Sequence, residues 1–327
     1  MFAYIARRIL IMIPMLFLIS IISFVAIQLP PGDFMTSYVA GLRSMGDNIE
    51  QEAIDSLRER YGLGQPIHVQ YFKWISGILL RGDWGQSMEW QRPVKELIWD
   101  RLGLTIILSL FALMVSWFVA IPVGVYSATH QYSIPDYIMS IISFIGVGVP
   151  GFLLALIVMY FAQTKLNMNV GGLFSEKFIN APWDGAKVVD MLKHLWIPVV
   201  ILAVGGTAGG IRTTRANLLD ELNKPYVELA RAKGLTEGLV RRRHILRNAL
   251  IPLFTVVGLS LGSLVEGAFI SETIFGIPGI GRLGVEAFFA RDYPVIMALT
   301  LIVAAAFVAA NLVVDIGYRF IDPRIRY

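Results

Sequence analysis

The sequence has 327 residues, of which 56% are hydrophobic and only 16% are charged, and its mean hydropathy is +0.64. A soluble protein would carry about 25% charged residues, so the composition excludes an ordinary soluble domain. The net charge is only +4, which argues against nucleic acid as a partner, and the absence of cysteine excludes disulfides and thiolate-ligated metals. The four histidines lie far apart in the chain, so no metal site is predicted.

Six strongly apolar runs predict an all-α integral membrane protein with six transmembrane helices. About 20 helical residues cross the hydrocarbon core of a bilayer. Helix also satisfies the backbone polar groups of one chain in lipid without a closed barrel. The predicted spans, named TM1 to TM6 in chain order, are 9–29, 102–129, 137–164, 195–215, 250–272 and 293–317.

Basic residues predict the orientation, because loops rich in Lys and Arg stay in the cytoplasm. Arg7 and Arg8 precede the first run, which is too long for a signal-peptide core and lacks an A-x-A cleavage pattern after it. The segment 212–247 carries nine Lys or Arg against four Asp or Glu, and the C-terminal stretch 318–327 is also basic. We therefore expect TM1 to be retained and both termini to be cytoplasmic.

Two long segments, 30–98 and 165–194, are predicted to fold on the opposite, extracytoplasmic side. The first contains a short helical pattern, EQEAIDSLRERYGLGQP, and an aromatic amphipathic stretch, VQYFKWISGILLRGDWGQS. Folded segments of this size indicate contact with something outside the cell membrane. The alternative is that they only cap the helix bundle.

The segment 216–249, called the elbow below, has the pattern of a helix, a glycine stop and a second helix. Pro225 suits a first helical turn, Gly234 suits a helix C-terminus and Thr236 suits an N-cap. The helical spacing predicts one shared face for Tyr226, Leu229, Ala230 and Lys233 in the first helix, and one stripe for Leu235, Leu239, Leu246 and Leu250 in the second, with Arg241, Arg242 and Arg243 opposite. The arginines alone could be a lipid-headgroup anchor, but an anchor would not account for Glu228 or the central glycine.

The stretch ELARAKGLTEGLVRRRHILRNALIP (228–252) resembles the EAA loop of binding-protein-dependent ABC-transporter permeases. The family pattern is E-A-A, three residues and G, followed after a gap by I-x-L-P. Here Glu228, Ala230 and Gly234 match, Leu229 stands at the first alanine, and 250–252 ends the pattern with its apolar residues in altered order. Stretches that resemble the dipeptide/oligopeptide subfamily in order and spacing are LPPGD (29–33), YGLGQP (61–66), QYFKW (70–74), RGDWGQS (81–87), RPVKELI (92–98), ETIFGIPGIGRL (272–283), ARDYPV (290–295) and NLVVDIGYRFIDPRIRY (311–327).

The resemblance implies a type I ABC importer permease in a bacterial inner membrane, forming half of a translocation path. It implies a second, related permease subunit in a heterodimer and an external solute-binding protein, for which Asp83 and Trp84 are candidate contacts. It also implies that the elbow couples to two cytoplasmic ATPases. The candidate coupling residues are Glu228, Ala230, Ala232, Gly234, Arg247 and Pro252.

No catalytic or cofactor-binding residue is expected in this chain itself. ATP and Mg²⁺ are expected on the partner ATPases, because this sequence has no G-x-x-x-x-G-K-[ST] phosphate-binding loop. The glycine-rich GGTAGG stretch lies within TM4 and lacks the lysine, so it is interpreted as helix packing.

Two acidic residues of TM5 are candidates for lining the translocation path. A charge at the centre of a bilayer costs on the order of 2.5–3.5 kcal/mol on insertion scales and usually faces a partner or a cavity. Glu266 therefore faces the path or the second subunit, or it serves as a salt-bridged or protonated structural carboxyl. Glu272 matches the family pattern and is expected to shape an outer re-entrant turn with Gly276, Pro278 and Gly279.

Other functions stay open from sequence alone. An ion-driven secondary transporter or channel often contains two repeated halves, and no convincing repeat is found here. A membrane scaffold without transport would need neither the elbow nor polar residues within spans. For an importer, the favoured solutes are di- and oligopeptides, followed by oligosaccharides or another small solute.

Overall fold

The computed structural model describes residues 2–28, 64–166, 171–179 and 181–321, with side chains except at 2–4, 166, 254–267 and 318–321. Within these ranges the chain is helical apart from turns and one isolated bridge between Gln86 and Pro93. The LPPGD stretch, the helical pattern predicted at 50–63 and the last six residues lie outside the described residues.

The described residues form α-helices joined by turns and longer segments. A π-helical turn, Gly77–Arg81, extends the helix Ile67–Ser76, and a single turn, Glu237–Leu239, leads through a π-helical segment, Val240–Ile245, into the helix Leu246–Phe275. The helices are α1 (Phe2–Gln28), α2 (Ile67–Ser76), α3 (Val94–Thr129), α4 (Ile134–Gly148), α5 (Gly151–Leu166), α6 (Gly185–Leu222), α7 (Pro225–Ala232), α8 (Leu246–Phe275), α9 (Ile280–Ala290) and α10 (Tyr293–Ile321).

Four of these helices, α1, α3, α6 and α10, are each long and apolar enough to cross a membrane. Two further apolar pairs are bent, one formed by α4 and α5 and the other by the end of α8 and α9. The described residues thus give four spans, or six if each bent pair counts as one. This all-α membrane architecture confirms the predicted fold class.

The predicted third span, 137–164, is not one straight helix. It consists of α4 and α5, whose axes differ by 104°. The cause is Pro150, which cannot donate to the preceding turn and forces Val149 into an extended conformation, with φ −90° and ψ 122°. The carbonyl of Pro150 then accepts from Leu153 N at 3.0 Å and starts the new helix.

Helix α6 is longer than the predicted fourth span, 195–215. Its 38 residues reach about 57 Å at 1.5 Å per residue, whereas the hydrocarbon core is about 30 Å thick. Asp184 caps its start, because the Asp184 Oδ1 accepts from Lys187 N at 2.7 Å. The other end of α6 runs directly into the elbow, so a continuous helix connects the apolar span to the elbow.

The chain divides into two compact units, Met1–Leu102 with Leu283–Val308 and Gly103–Arg282 with Ala309–Tyr327. In the first unit, Tyr71 packs edge-on against Phe24 and shares a 2.7 Å hydrogen bond with Ser20 Oγ. In the second unit, α3, α5, α6 and the end of α8 share an apolar core that includes Leu108, Leu195 and Phe275.

Candidate functional site: the elbow, the buried turn and the outer segment

The first helix of the elbow ends at the predicted glycine. Gly234 has a φ of +77°, which favours glycine over residues with a side chain. Its N–H donates to Arg231 O at 2.9 Å, and Leu235 N–H donates to Ala230 O at 3.4 Å. These two bonds form a Schellman ending, and the predicted stop is confirmed.

The buried side of α7 is formed by Val227 and Ala230. Val227 and Ala230 are buried, whereas Leu229 is 56% exposed and Lys233 is exposed. The helix packs through its Val227 side in a cluster with Leu218 of α6. Leu229 and Lys233 therefore lie on the side of α7 that faces away from the elbow core.

The second half of the elbow differs from the predicted leucine stripe, because its helix contains a π-helical segment. Val240, Ile245 and Ala249 are buried, whereas Leu239 of the predicted leucine stripe is 42% exposed. A π-helical segment adds a residue to the turn, so inward positions recur after five residues at Val240 and Ile245. The three arginines at 241–243 are exposed, as predicted.

Thr236 occupies the N-cap position, but its side chain makes no capping hydrogen bond. Its carbonyl instead accepts from Leu239 N at 2.9 Å and from Val240 N at 3.0 Å. Across the corner, Arg231 Nε donates to Glu237 Oε1 at 2.7 Å. The backbone and this exposed ion pair together fix the angle between the two halves.

Tyr226 joins the elbow to both neighbouring helices. Its hydroxyl donates to the Glu221 carboxylate at the end of α6 and accepts from Asn248 Nδ2 of α8 at 3.1 Å. Burial and the Glu221 carboxylate raise the pKa of Tyr226 above its ordinary value near 10. The phenol therefore stays protonated at neutral pH and keeps donating.

The candidate coupling residues fall into two groups. Ala230 is 6% exposed and belongs to the elbow's own core. The other candidates, Glu228, Ala232, Gly234, Arg247 and Pro252, are exposed. Together with the exposed Leu229 and Leu239, they give the elbow a surface with apolar and charged groups on a fixed backbone, which suits contact with another protein.

Glu272 closes the turn between α8 and α9 and is completely buried. Thr105 Oγ1 donates to Glu272 Oε1 at 2.6 Å, and Gly281 N donates to Oε2 at 2.7 Å. A Cβ at Gly279 would overlap this carboxylate. The predicted turn is present, and Glu272 is the group around which it folds.

The structure describes the side chain of only one of the two pathway candidates, Glu272 and Glu266. The Glu272 carboxylate is enclosed by its hydrogen-bond donors, so it is not open to a cavity in this conformation. Glu266 lies on the helical backbone of α8, and its side chain is outside the described side chains. A pathway role for either residue stays a prediction. Sequence reasoning gave Thr105 no role, because a lone threonine in an apolar helix carries no distinctive signal.

Asp83 and Trp84 follow the π-helical turn of α2 and are half-buried. Asp83 Oδ1 accepts from Gly85 N at 3.0 Å, which shapes the local turn. Their suggested contact with an external protein stays a prediction.

The segment after Trp84 is held by Asp292, whose role the sequence analysis missed. Asp292 is 1% exposed, and its Oδ2 accepts from Ser87 Oγ at 2.6 Å and from Met88 N at 2.9 Å. Its Oδ1 accepts from Val295 N at 3.4 Å at the start of α10. Aspartate shortly before a proline at the start of an apolar run is an N-cap signal, which could have identified this capping role but not the contact with Ser87.

A bidentate ion pair joins α4 to α6. Arg215 Nε and Nη2 each lie 3.0 Å from an oxygen of Asp136, which is 3% exposed. Ser127 Oγ and Tyr132 N also donate to this carboxylate. The partners are 79 positions apart, so no local pattern could have paired them.

Comparison with known proteins identifies the family. Residues 120–327 match the family described as binding-protein-dependent transport system inner membrane component, and residues 1–111 match its N-terminal counterpart. The chain is 42% identical to the oligopeptide transport system permease protein AppB of Bacillus subtilis, over 100% of both chains. It is 38% identical to the dipeptide transport system permease protein DppB of Alkalihalophilus pseudofirmus and 34% identical to the glutathione transport system permease protein GsiC of Salmonella paratyphi A, again over 100% of both chains in each case.

Solved structures show the same fold. An inward-facing structure of the MetNI methionine ABC transporter aligns with a TM-score of 0.54 at 19% identity, covering 70% of this chain and 97% of that chain. An amino acid ABC transporter aligns with a TM-score of 0.51 at 16% identity, covering 69% and 94%. The chain therefore belongs to the family of binding-protein-dependent transport system inner membrane components, and it is a multi-pass inner-membrane permease subunit of an ABC importer rather than an enzyme.

Proposed function

We propose that this permease imports di- and oligopeptides and that its elbow receives the force of ATP hydrolysis from a cytoplasmic ATPase. A second, related permease completes the translocation path. ATP and Mg²⁺ bind to the two ATPase subunits. An external binding protein delivers the peptide to the outer segment that contains Asp83 and Trp84.

The observation that carries this proposal is the construction of the elbow. Its inner side is packed onto α6 and α8 through Val227, Ile245 and the Tyr226 hydrogen bonds. Its outer side exposes Glu228 and Leu229. A partner that pushes on this surface moves two membrane helices together, because the elbow has its own core and corner bonds.

The peptide assignment is supported by the full-length similarity to permeases named for oligopeptides and dipeptides. The proposed orientation, with both termini and the elbow in the cytoplasm, is supported by the excess of basic residues in 212–247. A cytoplasmic elbow is also the arrangement that places Glu228 within reach of an ATPase.

Charge reversal at Glu228 tests the coupling. The side chain is exposed, so Glu228→Lys should leave folding intact while placing the wrong charge on the docking surface. In proteoliposomes with the complete importer, we expect peptide uptake to fall at least tenfold, an effect of about 1.4 kcal/mol or more on the coupled step. ATP hydrolysis should no longer respond to the peptide-loaded binding protein.

The matched control is Glu176→Lys, which reverses an exposed charge in the segment between α5 and α6. Uptake by this variant should stay within about twofold of the unmodified importer, since an isolated surface substitution changes little. Full uptake by Glu228→Lys, with normal assembly, would contradict the coupling role of this surface.

A further inference from the structure

A cavity of about 690 Å³ lies within the second unit, where the bend between α4 and α5 faces α3, α6 and the end of α8. Its volume falls within the range of roughly 300–1,000 Å³ that is usual for small-molecule sites. None of its lining residues in the described part of the chain is charged. The volume and the uncharged lining of the cavity therefore suit a neutral group of moderate size.

Two serines line this cavity and offer it hydroxyl groups. Ser116 is 4% exposed and Ser271 is 6% exposed, and both line the cavity. Among the described residues neither hydroxyl makes a hydrogen bond, whereas Ser143 and Thr273 bond to a carbonyl of the preceding turn. A hydroxyl that lines a cavity can donate and accept hydrogen bonds there, so a ligand with polar groups would find partners at these two serines.

The bend adds backbone groups that have no helical partners. Pro150 has no N–H, so the carbonyl of Gly146 loses its usual donor four residues later. The first N–H groups of α5, at Gly151 and Phe152, have no acceptor within the helix. These residues line the cavity together with the hydroxyls of Ser116 and Ser271.

Glycines of α6 keep the cavity open and expose more backbone. A Cβ at Gly206 would lie 2.8 Å from Ser116 Oγ, so the Ser116 side chain would have to move to admit one. At Gly205 and Gly209, which also line the cavity, a Cβ would meet no atom within 4 Å. The latter two glycines are not explained by close helix packing among the described residues.

We propose that this cavity is a site on the translocation path that binds the main chain of the transported peptide, with Ser116, Ser271 and the free backbone groups of the bend as its hydrogen-bond partners. This inference rests on the proposed peptide function. Peptide amides in a membrane interior need hydrogen-bond partners, since each unsatisfied group costs several kcal/mol. Hydroxyls and backbone groups provide them without selecting any one side chain, which suits a path for many peptides.

The first test removes the hydroxyls. The double variant Ser116→Ala, Ser271→Ala should lower trialanine uptake by the complete importer about tenfold, as expected for two lost hydrogen bonds. Ser143→Ala is the matched control, because its hydroxyl bonds within α4 and lies outside the cavity lining. Uptake by the control should change less than twofold, and unchanged uptake by the double variant would overturn the site.

The second test does not depend on transport activity. The chain has no cysteine, so Gly209→Cys introduces one thiol into the open part of the cavity. In the assembled importer, a water-soluble maleimide should label this thiol, and saturating trialanine with its binding protein should slow the labelling at least fivefold. Gly103→Cys is the control, since Gly103 is equally uncrowded but does not line the cavity.

The outcomes separate this inference from the proposed function. Labelling at Gly209→Cys that trialanine does not slow would overturn the site, as would a thiol that never reacts because a second permease or lipid covers it. In either case, stimulation of ATP hydrolysis by trialanine would leave the importer assignment standing. If trialanine stimulates neither hydrolysis nor uptake in the unmodified importer, the peptide function itself fails.

Discussion

The elbow and the turn between α8 and α9 are two corners built from the same local device. Each has a glycine with positive φ, Gly234 at +77° and Gly276 at +64°. Each has the two backbone bonds of a Schellman ending, which at the second corner run from Gly276 N to Thr273 O and from Ile277 N to Glu272 O. The backbone alone therefore does not distinguish them.

Their surroundings differ. A Cβ at Gly234 would meet nothing within 4 Å, whereas one at Gly279 would collide with the carboxylate of Glu272. The elbow is thus open and charged on its outside, and the other corner is closed around a buried carboxylate. The first corner therefore leaves its surface free for a contact, as proposed above, whereas the second is filled by its own carboxylate.

The largest effect is expected at the closed corner. Glu272→Ala leaves Gly281 N and Thr105 Oγ1 without their acceptor in a buried site. We expect a loss of about 3 kcal/mol in stability, measured as a lower midpoint of thermal unfolding in detergent. Glu176→Ala, at an exposed position, is the control and should leave the midpoint unchanged. An unchanged midpoint for Glu272→Ala would show that the turn does not need this carboxylate.

A somewhat smaller effect is expected from Gly279→Ala, because the new methyl overlaps the Glu272 carboxylate and must displace it. Overpacking of this kind costs about 1–3 kcal/mol, again measured as the unfolding midpoint in detergent. Gly103→Ala is the matched control, since its Cβ meets no atom within 4 Å. Equal midpoints for the two variants would refute the tight packing of the closed corner.

The smallest effect is expected at the open corner. Gly234→Ala meets no steric obstacle but places a side chain at positive φ, which costs about 1 kcal/mol. Gly238→Ala, in the helical turn that follows, should be neutral or slightly stabilising. The exchange rates of the elbow amide hydrogens would measure the change in local stability in both variants. Faster exchange in Gly238→Ala than in Gly234→Ala would reverse the expected order.

The sequence predicted features that depend on local chemistry. The apolar runs predicted an all-α membrane protein, and Pro225 and Gly234 predicted the ends of α7, because each of these signals acts through its own backbone. It did not predict the bend at Pro150 within TM3, since prolines are tolerated within other long helices here, such as Pro122 in α3 and Pro198 in α6. The predicted leucine stripe of the second elbow helix is interrupted at Leu239, because the π-helical segment Val240–Ile245 changes the helical period.

Hydrogen bonds between residues far apart in the chain could not be predicted from the sequence. Asp292 and Ser87 are 205 positions apart, and Glu272 and Thr105 are 167 positions apart. Each pair joins an acidic residue to a hydroxyl, a combination too common to indicate contact. The cavity at the bend could not be predicted from the sequence either. It depends on which glycines of α6 pack against α3 and which have no neighbouring atom within 4 Å of a Cβ position.

The central claim is that the exposed side of the elbow contacts an ATPase, and cross-linking tests it most directly. Leu229→Cys places a single thiol at a side chain that is 56% exposed, whereas Val227→Cys places one in the elbow core. In the assembled, transporting importer, a short thiol-reactive photo-cross-linker at position 229 should capture the ATPase subunit, and one at position 227 should not. If position 229 captures only lipid or the second permease while uptake continues, the elbow is not the coupling surface.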